Sequence, residues 1–424
     1  MTYKEYKNES YNLYTIRTDK FKTCHMEIIF YNKLEKEKIT EINMLTDILS
    51  HSSSKYPKRK FVVEKLEDLY SASFYGVPSR MGNIRSVDFA YNFINPEYTD
   101  KNYLKEVIKF PFDMIFNPNI KNDEFDLRSF KIIRSRILAD IESVKESPVR
   151  FSLKRALNVM DENHPASWNL IGNINDLEKI TPSSLVKTYN DLLNNWQCDI
   201  YLIGNLNMDK INIMINEAFR NNIIKKNNYD LYVDVNDRNK TKDVVEYNDF
   251  EQASLFLITN TDKFTQFERD YVMPIFNDIF GTGSLNTKLY QNLREKNSLC
   301  YSVNCMYQKF DQIAIIYVGI DAKNKQKAVS LIKKSLKEMI NGEFTEDNVL
   351  NSIKSIKNIL RISLDSPSSL IDNYFFHNLS DSPFLNERIN KINDVTREDV
   401  INLAKKLKVN TVYMMAPGGK DERN

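Results

Sequence analysis

The sequence predicts an α+β protein made of two homologous domains, each a mainly antiparallel sheet packed against helices. The chain has 424 residues, too many for one small module, and its 42% hydrophobic and 27% charged residues are typical of a globular protein. Ten glycines and twelve prolines leave few breaks between helices and strands. The order of strand-like and helix-like segments is the same in the two halves of the chain, which indicates an internal duplication.

The repeated order begins with two apolar, strand-like runs, 25–30 and 253–258. An Asp-Ile pair follows each run, at Asp47 and at Asp278, and a Ser-Pro pair follows a long helical segment at 147–148 and at 366–367. The offset between the halves stays at about 215 to 231 residues. Each half therefore reads strand, helix, strands, helices, strand; the alternative is that this common order recurs by chance.

The polar stretch 221–243 separates the halves. It mixes Asn, Lys and Asp with little periodicity, as a linker would. We therefore predict an N-terminal domain over 1–220, a linker over 221–243 and a C-terminal domain over 244–424.

Two helix starts and one long helix are predicted from local patterns. Thr181 before Pro182 is typical of an N-cap with Pro at the first helical position, and Thr396 with Asp399 resembles a capping box. Apolar residues recur at helical spacing through 124–145, which predicts a long amphipathic helix.

Charge and cysteine content exclude several classes of partner. The net charge is +2, too small to neutralise nucleic-acid phosphates. Four cysteines without a C-x-x-C pair favour a reducing compartment over a disulfide framework. The first residues are polar, and no apolar run reaches the length of a membrane span. We expect a soluble cytoplasmic protein with no nucleic-acid or membrane partner.

Local metal and nucleotide motifs are missing from the sequence. The four histidines never lie within five residues of one another, and Cys300 and Cys305 are more simply explained as core thiols. The turn Gly281-Thr-Gly283-Ser is too short for a phosphate loop and predicts the start of a helix over 285–296, with Ser284 as its N-cap.

The segment 280–303 carries the most distinctive motif. Its core is Arg294-Glu-Lys-x-x-Leu299-x-Tyr301, preceded by the turn at Gly281 and Gly283. It resembles the C-terminal-half signature of the pitrilysin/insulinase metallopeptidases, a family whose inverted zinc motif is H-x-x-E-H. The resemblance covers nearly the whole chain, because half-length members of that family are also duplicated α+β proteins. The N-terminal half is most similar to a bacterial group associated with aminopentanol modification of elongation factor P.

In catalytic relatives, the zinc motif lies on the first long helix of the N-terminal half, which here falls at about 39–50. The five motif positions are Asn43, Met44, Leu45, Thr46 and Asp47. All three defining residues are therefore replaced, while the third ligand position falls on Asp140. Helical spacing puts Asn43, Thr46 and Asp47 on the polar face of the helix. Asp140 lies on an apolar stripe, so it could equally be a partly buried acid held by hydrogen bonds.

These replacements predict that the chain holds no metal. Amide, hydroxyl and carboxylate oxygens are a poor substitute for the two imidazoles of the zinc motif, and Thr46 offers no carboxylate to activate water. Whether the chain is itself an enzyme stays open, since a metal held by Asp47 and Asp140 is a weak third possibility. The resemblance implies that a partner carries the zinc.

Arg294 and Tyr301 match residues that two-subunit members of the family use in trans. A guanidinium group and a phenol can hydrogen-bond a substrate carbonyl and the oxyanion formed when water attacks it. The alternative is structural, with Arg294 near a helix C-terminus and Tyr301 on a sheet face. The resemblance thus implies the non-catalytic subunit of a heterodimeric zinc peptidase acting on peptides; the alternative function is a peptide-binding or scaffold protein with no peptidase role.

Overall fold

The computed structural model describes residues 1–219, 228–236, 240–282, 285–380 and 382–418. They form two compact units. The first contains Met1–Ser143, Asn169–Asp230 and Ser366–Phe375, and the second contains Val144–Trp168, Leu231–Asp365 and Phe376–Asn424. The units thus follow the two halves of the sequence, except that two helical segments are exchanged. The boundaries at 220 and 244 stay a prediction, because residues 220–227 and 237–239 lie outside the described ranges.

The N-terminal half begins with a sheet interrupted by helices. Its strands are β1 (Thr2–Lys7), β2 (Asn12–Arg17), β3 (Thr23–Lys33), β4 (Ser73–Met81), β5 (Ile84–Ile94), the short pair β6 (Ile120–Lys121) and β7 (Glu124–Phe125), and β8 (Gln197–Gly204). Its helices are α1 (Ile39–His51), α2 (Arg59–Asp68), α3 (Tyr103–Phe116), α4 (Leu127–Ser143), α5 (Pro148–Met160), α6 (Ile174–Lys179), α7 (Pro182–Asn195) and α8 (Met208–Ala218).

The C-terminal half has the same kinds of element. Its strands are β9 (Lys242–Asn248), β10 (Ala253–Asn260), β11 (Cys300–Gln308), β12 (Ile313–Ile320) and β13 (Lys408–Pro417). Its α-helices are α9 (Met273–Phe280), α10 (Lys325–Ile340), α11 (Glu346–Ile362), α12 (Pro367–Ser380), α13 (Leu385–Lys391) and α14 (Arg397–Lys406). Two π-helical segments, Glu268–Val272 and Tyr290–Glu295, precede and follow α9.

The sheet topology confirms the predicted fold class. The first unit has the strand order β4-β5-β3-β8-β2-β1, and the second has β11-β12-β10-β13-β9. In each sheet, the first four strands pair antiparallel and the fifth runs parallel to the fourth. The second sheet therefore repeats the first strand by strand, with β1 as the one addition among the described residues. The predicted runs 25–30 and 253–258 are the central strands β3 and β10.

Each sheet has an apolar core on one face. Helix α1 packs there in the first unit, with Leu45 and Leu49 fully buried beside Phe30 and Phe89. In the second unit, α9 contributes Phe276 to a core that includes Leu255 and Val318. Helical periodicity of apolar residues explains why these two helices lie against their sheets.

The exchanged segments come from matching positions in the two halves. Helix α5 packs in the second unit, where Ala156, Leu157 and Met160 contact the buried side chains of β10, β12 and β13. In the first unit, the part of α12 up to Phe375 packs on the sheet, and the rings of Phe375 and Tyr31 lie 5.6 Å apart. Both helices follow a Ser-Pro pair that the sequence repeats.

The predicted caps are confirmed. The Thr181 side chain accepts a hydrogen bond from the backbone N–H of Ser184, with Pro182 at the first position of α7. The capping box of Thr396 and Asp399 opens α14. The helix predicted at 124–145 is α4.

Candidate functional site

Two of the three defining positions of the zinc motif are buried, which corrects the expectation that they lie on the polar face of α1. Asn43 is 7% exposed, and Thr46 is fully buried. The Asn43 amide donates a hydrogen bond of 2.6 Å to the carbonyl of Leu170, and its Oδ1 accepts one from Arg85. The Thr46 hydroxyl donates to the carbonyl of Ile42 at 2.7 Å. Both side chains are therefore used in hydrogen bonds within the protein.

Strand β4 covers this side of α1 at Gly76. A Cβ atom on Gly76 would lie 2.6 Å from Ser50 Oγ and 2.7 Å from Thr46 Cγ2, closer than real Cβ contacts. The lack of a side chain at Gly76 thus allows the strand to touch the helix. Because β4 is the edge strand of the first sheet, this contact places the altered motif directly beside a sheet edge.

Asp47 forms an ion pair with Arg136 of α4. Arg136 Nη2 lies 2.6 Å from Asp47 Oδ2, and the Asp47 side chain is 24% exposed. Burial raises the pKa of the Asp47 carboxyl, while the hydrogen bond and charge of Arg136 oppose that rise. The charge of Asp140 raises the pKa further, so Asp140 lies close enough to Asp47 for their charges to interact. The helix that bears Asp140 therefore does face α1, but Asp140 itself is exposed rather than partly buried.

Two residues at the end of α1, Arg59 of α2 and His51 of α1, were not identified as site residues by the sequence analysis. Arg59 Nη1 donates a hydrogen bond of 3.0 Å to the carbonyl of Ser50. Burial lowers the pKa of His51, and the charges of Arg59 and Arg136 lower it further. The positively charged side chains of Arg59 and Arg136 therefore lie close to the end of α1 that the resemblance aligns with the zinc motif. One signal in the sequence was available, because Arg136 precedes Asp140 by four residues and so lies on the same face of α4.

The donor set at α1 does not fit a zinc ion. Asn43 and Thr46 have their polar atoms in internal hydrogen bonds, and Asp47 is neutralised by Arg136. Zinc sites need imidazole, thiolate or carboxylate donors that converge on one point. Across the described parts of the chain, no group of three or more His, Cys, Asp and Glu side chains could hold a metal ion.

The glycine-rich turn lies in the second unit, after α9. Gly281 packs closely, since a Cβ there would lie 2.7 Å from Cys305 Cβ and 2.7 Å from Leu289 Cδ1. Thr282 donates a hydrogen bond to the carbonyl of Cys305. The turn is therefore fixed against β11. Gly283 and the predicted N-cap Ser284 lie outside the described residues. The backbone N–H of Tyr290 instead donates to Thr287 Oγ1, at 3.2 Å.

Arg294 and Tyr301 lie together on the surface of the second unit. Arg294 Nη1 donates a hydrogen bond of 3.2 Å to the backbone carbonyl of Tyr301. The guanidinium carbon also lies 5.2 Å from the ring centre of Tyr290, within reach of a cation–π interaction. The Tyr301 side chain is 74% exposed. It stands where the pairing of β11 with β12 is irregular, so the bulge turns the phenol away from the sheet.

Two local structural features distinguish the Arg294–Tyr301 pair. Arg294 belongs to the π-helical segment Tyr290–Glu295, a geometry that is rare and is enriched at functional sites. Strand β11 is the edge strand of the second sheet, as β4 is of the first. Edge strands leave one row of backbone N–H and C=O groups available for pairing with another chain. Thr46 of α1 and the Arg294–Tyr301 pair therefore each lie beside a sheet edge, in different units.

The sequence and the fold are both similar to those of known proteins. Residues 179–356 match the family described as Peptidase M16 inactive domain. The probable inactive metalloprotease YmfF of Bacillus subtilis is 25% identical over 409 residues, which cover 94% of each chain. The uncharacterized zinc protease YmxG of the same bacterium is 30% identical over 144 residues, 33% of this chain and 35% of that one. The crystal structure of a conserved protein from Enterococcus faecalis V583 has a TM-score of 0.93 at 25% identity and covers 99% of this chain and 100% of that one.

Within the described residues, no helix is both long and apolar enough to cross a membrane. The narrower likeness to the group associated with elongation factor P stays a prediction. The match to an M16 inactive domain, the full-length similarity to a protein named as an inactive metalloprotease and the repeated sheet topology agree with one another. The resemblance to the pitrilysin/insulinase (M16) metallopeptidases is therefore confirmed over residues 179–356, and the sequence contains no H-x-x-E-H motif.

Proposed function

We propose that this chain is the non-catalytic subunit of a heterodimeric zinc metalloendopeptidase that acts on peptides. A relative with an intact H-x-x-E-H motif would carry the zinc and would be the partner. The filled hydrogen bonds of Asn43 and Thr46 and the ion pair of Asp47 support the absence of catalysis by this chain alone. Bacillus subtilis holds one relative named as an inactive metalloprotease and another named as a zinc protease, the kind of pair that the proposal requires.

The observation that carries the proposal is the exposed pair Arg294 and Tyr301. Neither side chain is needed for a core, since Tyr301 is 74% exposed and Arg294 is also exposed. The hydrogen bond from Arg294 to the Tyr301 carbonyl fixes the two residues relative to each other. A preorganised guanidinium and phenol can donate hydrogen bonds to a peptide carbonyl and to the oxyanion that forms during hydrolysis. These two side chains would therefore bind and orient substrate beside the partner's zinc, which would activate the attacking water.

Peptide binding is supported by the edge of the first sheet. Tyr75 and Val77 are 47% and 41% exposed and alternate with the buried Phe74 along the edge strand β4. A peptide could extend the sheet by pairing with this edge, through main-chain hydrogen bonds that tolerate many sequences. Such recognition suits a processing peptidase. We expect the complex to work in the cytoplasm, without nucleic acid.

The alternative is a scaffold or peptide-binding protein of the same fold. The contacts of Arg294 with the Tyr290 ring and the Tyr301 carbonyl would also suit a purely structural role. The two functions differ in what they need from the side chains. A scaffold tolerates Arg294→Ala and Tyr301→Phe, whereas a trans-acting subunit loses turnover while the complex still forms.

The test is cleavage of a quenched fluorescent peptide library by the chain, by the zinc-motif relative from the same organism, and by their mixture. Each is repeated with Arg294→Ala and with Tyr301→Phe. The matched controls are Arg361→Ala and Tyr247→Phe, exposed residues of the same unit outside β11. Complex formation is followed by size-exclusion chromatography with light scattering.

Activity only in the mixture, reduced at least tenfold by either variant and unchanged in the controls, supports the proposed subunit. A complex with full activity after both substitutions would favour the scaffold. Cleavage by this chain alone, abolished by a chelator, would overturn the account of the α1 site.

A further inference from the structure

A groove in the first unit lies away from the residues considered so far. Helices α3 and α8 form its walls, and it encloses about 450 Å³. Its apolar lining consists of Leu104, Ile108, Phe112, Met214 and Ala218. A volume of this size is within the usual range for binding sites. Of the apolar lining residues, Leu104, Met214 and Ala218 are part-exposed, so a bound group could cover apolar surface there.

Four lysines surround the groove. Lys105 and Lys109 lie one turn apart on α3, Lys101 lies in the turn that precedes α3, and Lys210 lies on α8. Within the described residues, none of the four forms an ion pair. Of the two acidic lining residues, Asp113 is already paired with Lys55 at 2.8 Å, which leaves Glu217. The groove therefore carries an excess of positive charge beside its apolar lining.

The spacing of the lysines selects among possible ligands. Lys105 and Lys109 lie four residues, about 6 Å, apart along α3, and Lys101 lies in the turn that precedes the helix. The apolar residues Leu104, Ile108 and Phe112 have the same repeat of four residues. A ligand with one anionic head, such as a fatty acid, would use one of these lysines. A helix with carboxylates one turn apart would use Lys105 and Lys109 together.

We propose that this groove binds an acidic amphipathic helix of a protein partner. The helix would lay an apolar stripe on Leu104 and Met214 and direct a row of Glu or Asp side chains to the lysines of α3. This is the helix-in-groove mode of recognition, with charge complementarity setting orientation and partner choice. The proposal does not depend on a peptidase role, because the groove shares no residue with the α1 site or with Arg294 and Tyr301.

The test uses synthetic helical peptides and the full chain. Four fluorescein-labelled peptides of 20 residues carry Leu in one helical row and Glu in a second row, offset by one, two, three or four positions. A fifth peptide replaces every Glu by Lys, and sodium palmitate serves as the single-headed anion. Binding is measured by fluorescence anisotropy at 50 mM and 300 mM NaCl, and competition by palmitate is measured with the same probe.

Two variants remove the groove's chemistry separately. Lys101→Glu, Lys105→Glu and Lys109→Glu are combined in one chain, and Met214→Glu is made in another, so that one folded variant is enough for the test. The matched control reverses three exposed lysines of α10, with Lys327→Glu, Lys334→Glu and Lys337→Glu in one chain. Urea denaturation checks that each variant folds.

We expect at least one acidic peptide to bind the original chain and the α10 control equally, with an affinity that falls at high salt. Each groove variant should weaken that binding at least tenfold, and the Lys peptide should not bind. Failure of all four acidic peptides, or equal binding by the groove variants, would overturn the proposal. Displacement of a weak peptide by palmitate would identify a single-headed amphiphile instead. A dimer of the chain that the lysine variant dissociates would identify a second copy as the occupant.

Discussion

The ion pair between Asp47 and Arg136 involves the last of the five positions that the sequence resemblance aligns with the zinc motif. Its nitrogen and oxygen lie 2.6 Å apart, and it joins α1 to α4. The corresponding pair of helices in the second unit is joined in the same way, by a hydrogen bond of 2.6 Å from Ser352 to Asp278. In both halves, an aspartate on the first helix is thus held by the long helix. The two halves differ in the group that holds the aspartate. In the first half this group is the Arg136 guanidinium, and its positive charge disfavours the binding of a metal ion beside Asp47.

Replacing Arg136 by Ala should destabilise the protein by about 1 kcal/mol at pH 7, because the largely buried Asp47 carboxylate would lose its partner. The pKa of Asp47 is already raised by burial, and loss of Arg136 would raise it further. Above the pKa of the unfolded carboxyl, a raised folded pKa costs stability, so the loss should shrink as the pH falls to 4. Urea denaturation at both pH values measures this.

The double variant Asp47→Asn with Arg136→Ala is the control for that prediction. Without the buried charge, it should recover most of the lost stability at pH 7. A loss in Arg136→Ala that is independent of pH and persists in the double variant would mean that the arginine acts through packing alone.

Gly76→Ala should destabilise the protein by about 1 to 3 kcal/mol, because the added methyl group would clash with α1. The methyl group would lie 2.6 Å from Ser50 Oγ and 3.1 Å from the Thr46 carbonyl. The measurement is the free energy of unfolding in urea. Ser50→Ala removes the first clash, so the double variant should recover part of the loss, while Ser50→Ala alone should have a small effect. Equal stability of Gly76→Ala and the original chain would show that β4 can move off α1.

The burial of Asn43 and Thr46 marks the limit of what helical periodicity predicts. The helical spacing of the apolar residues in α1 agrees with the burial of Ile42, Leu45, Ile48 and Leu49 in the core. It could not show that the other side is covered as well, because the covering groups come from β4, from Arg85 and from the chain near Leu170. Such contacts join residues far apart in the sequence, and Gly76 gives no hydrophobic signal of its own.

The exchange of α5 and the first part of α12 was likewise not predictable from the sequence. An amphipathic pattern shows that a helix must bury one face, but not which sheet it packs against. The sequence did predict the repeated order of strands and helices, since that order depends on local periodicity and on caps such as Thr181. The pairing of Arg294 with Tyr301 in one site was predicted from the family resemblance. The sequence spacing alone could not show whether Tyr301 lies on an exposed bulge or in a regular strand.

The stability of the protein should fall as the pH rises from 4 to 8, in part because of Asp88. Burial, then the charge of Glu27, raises the pKa of Asp88 to about 7, and its Oδ1 is buried without a hydrogen-bond partner. The folded state therefore keeps a proton that the unfolded chain releases near pH 4. The bound proton on Asp88 stabilises the folded state fully below pH 4, and this stabilisation is lost as the pH rises through 7.

Asp88→Asn should remove this dependence. We expect the variant to be more stable than the original chain by on the order of 2 kcal/mol at pH 8, and equally stable at pH 4. Thermal and urea unfolding across this range measure the difference. Asp68→Asn, at an exposed carboxylate of the same unit, is the matched control and should follow the original chain. If the stability of Asp88→Asn depended on pH in the same way as that of the original chain, Asp88 would be ruled out as the source of this pH dependence.

The packing of α5 in the second unit depends on Arg155 and Glu246. Arg155 donates two hydrogen bonds to the carboxylate of Glu246, from Nε at 2.8 Å and from Nη2 at 2.5 Å, and Tyr413 donates a third at 2.8 Å. The hydrogen bond from Arg155 is the main cause that lowers the pKa of Glu246. Because its folded pKa is depressed, Glu246 contributes stability above the unfolded pKa, and that contribution is lost as the pH falls.

Arg155→Lys should therefore cost about 1 kcal/mol at pH 7, since a lysine keeps the charge but cannot make the two-pronged contact. The cost should become smaller at pH 3, because protonation of Glu246 weakens its contact with Arg155 in the original chain. Urea denaturation at the two pH values is the measurement, with Arg361→Lys as an exposed control. If the cost at pH 7 equals that at pH 3, the arginine stabilises α5 through its aliphatic stem and not through Glu246. The predicted difference would instead show that a charged contact on β9 helps hold a helix from the N-terminal half in the second unit.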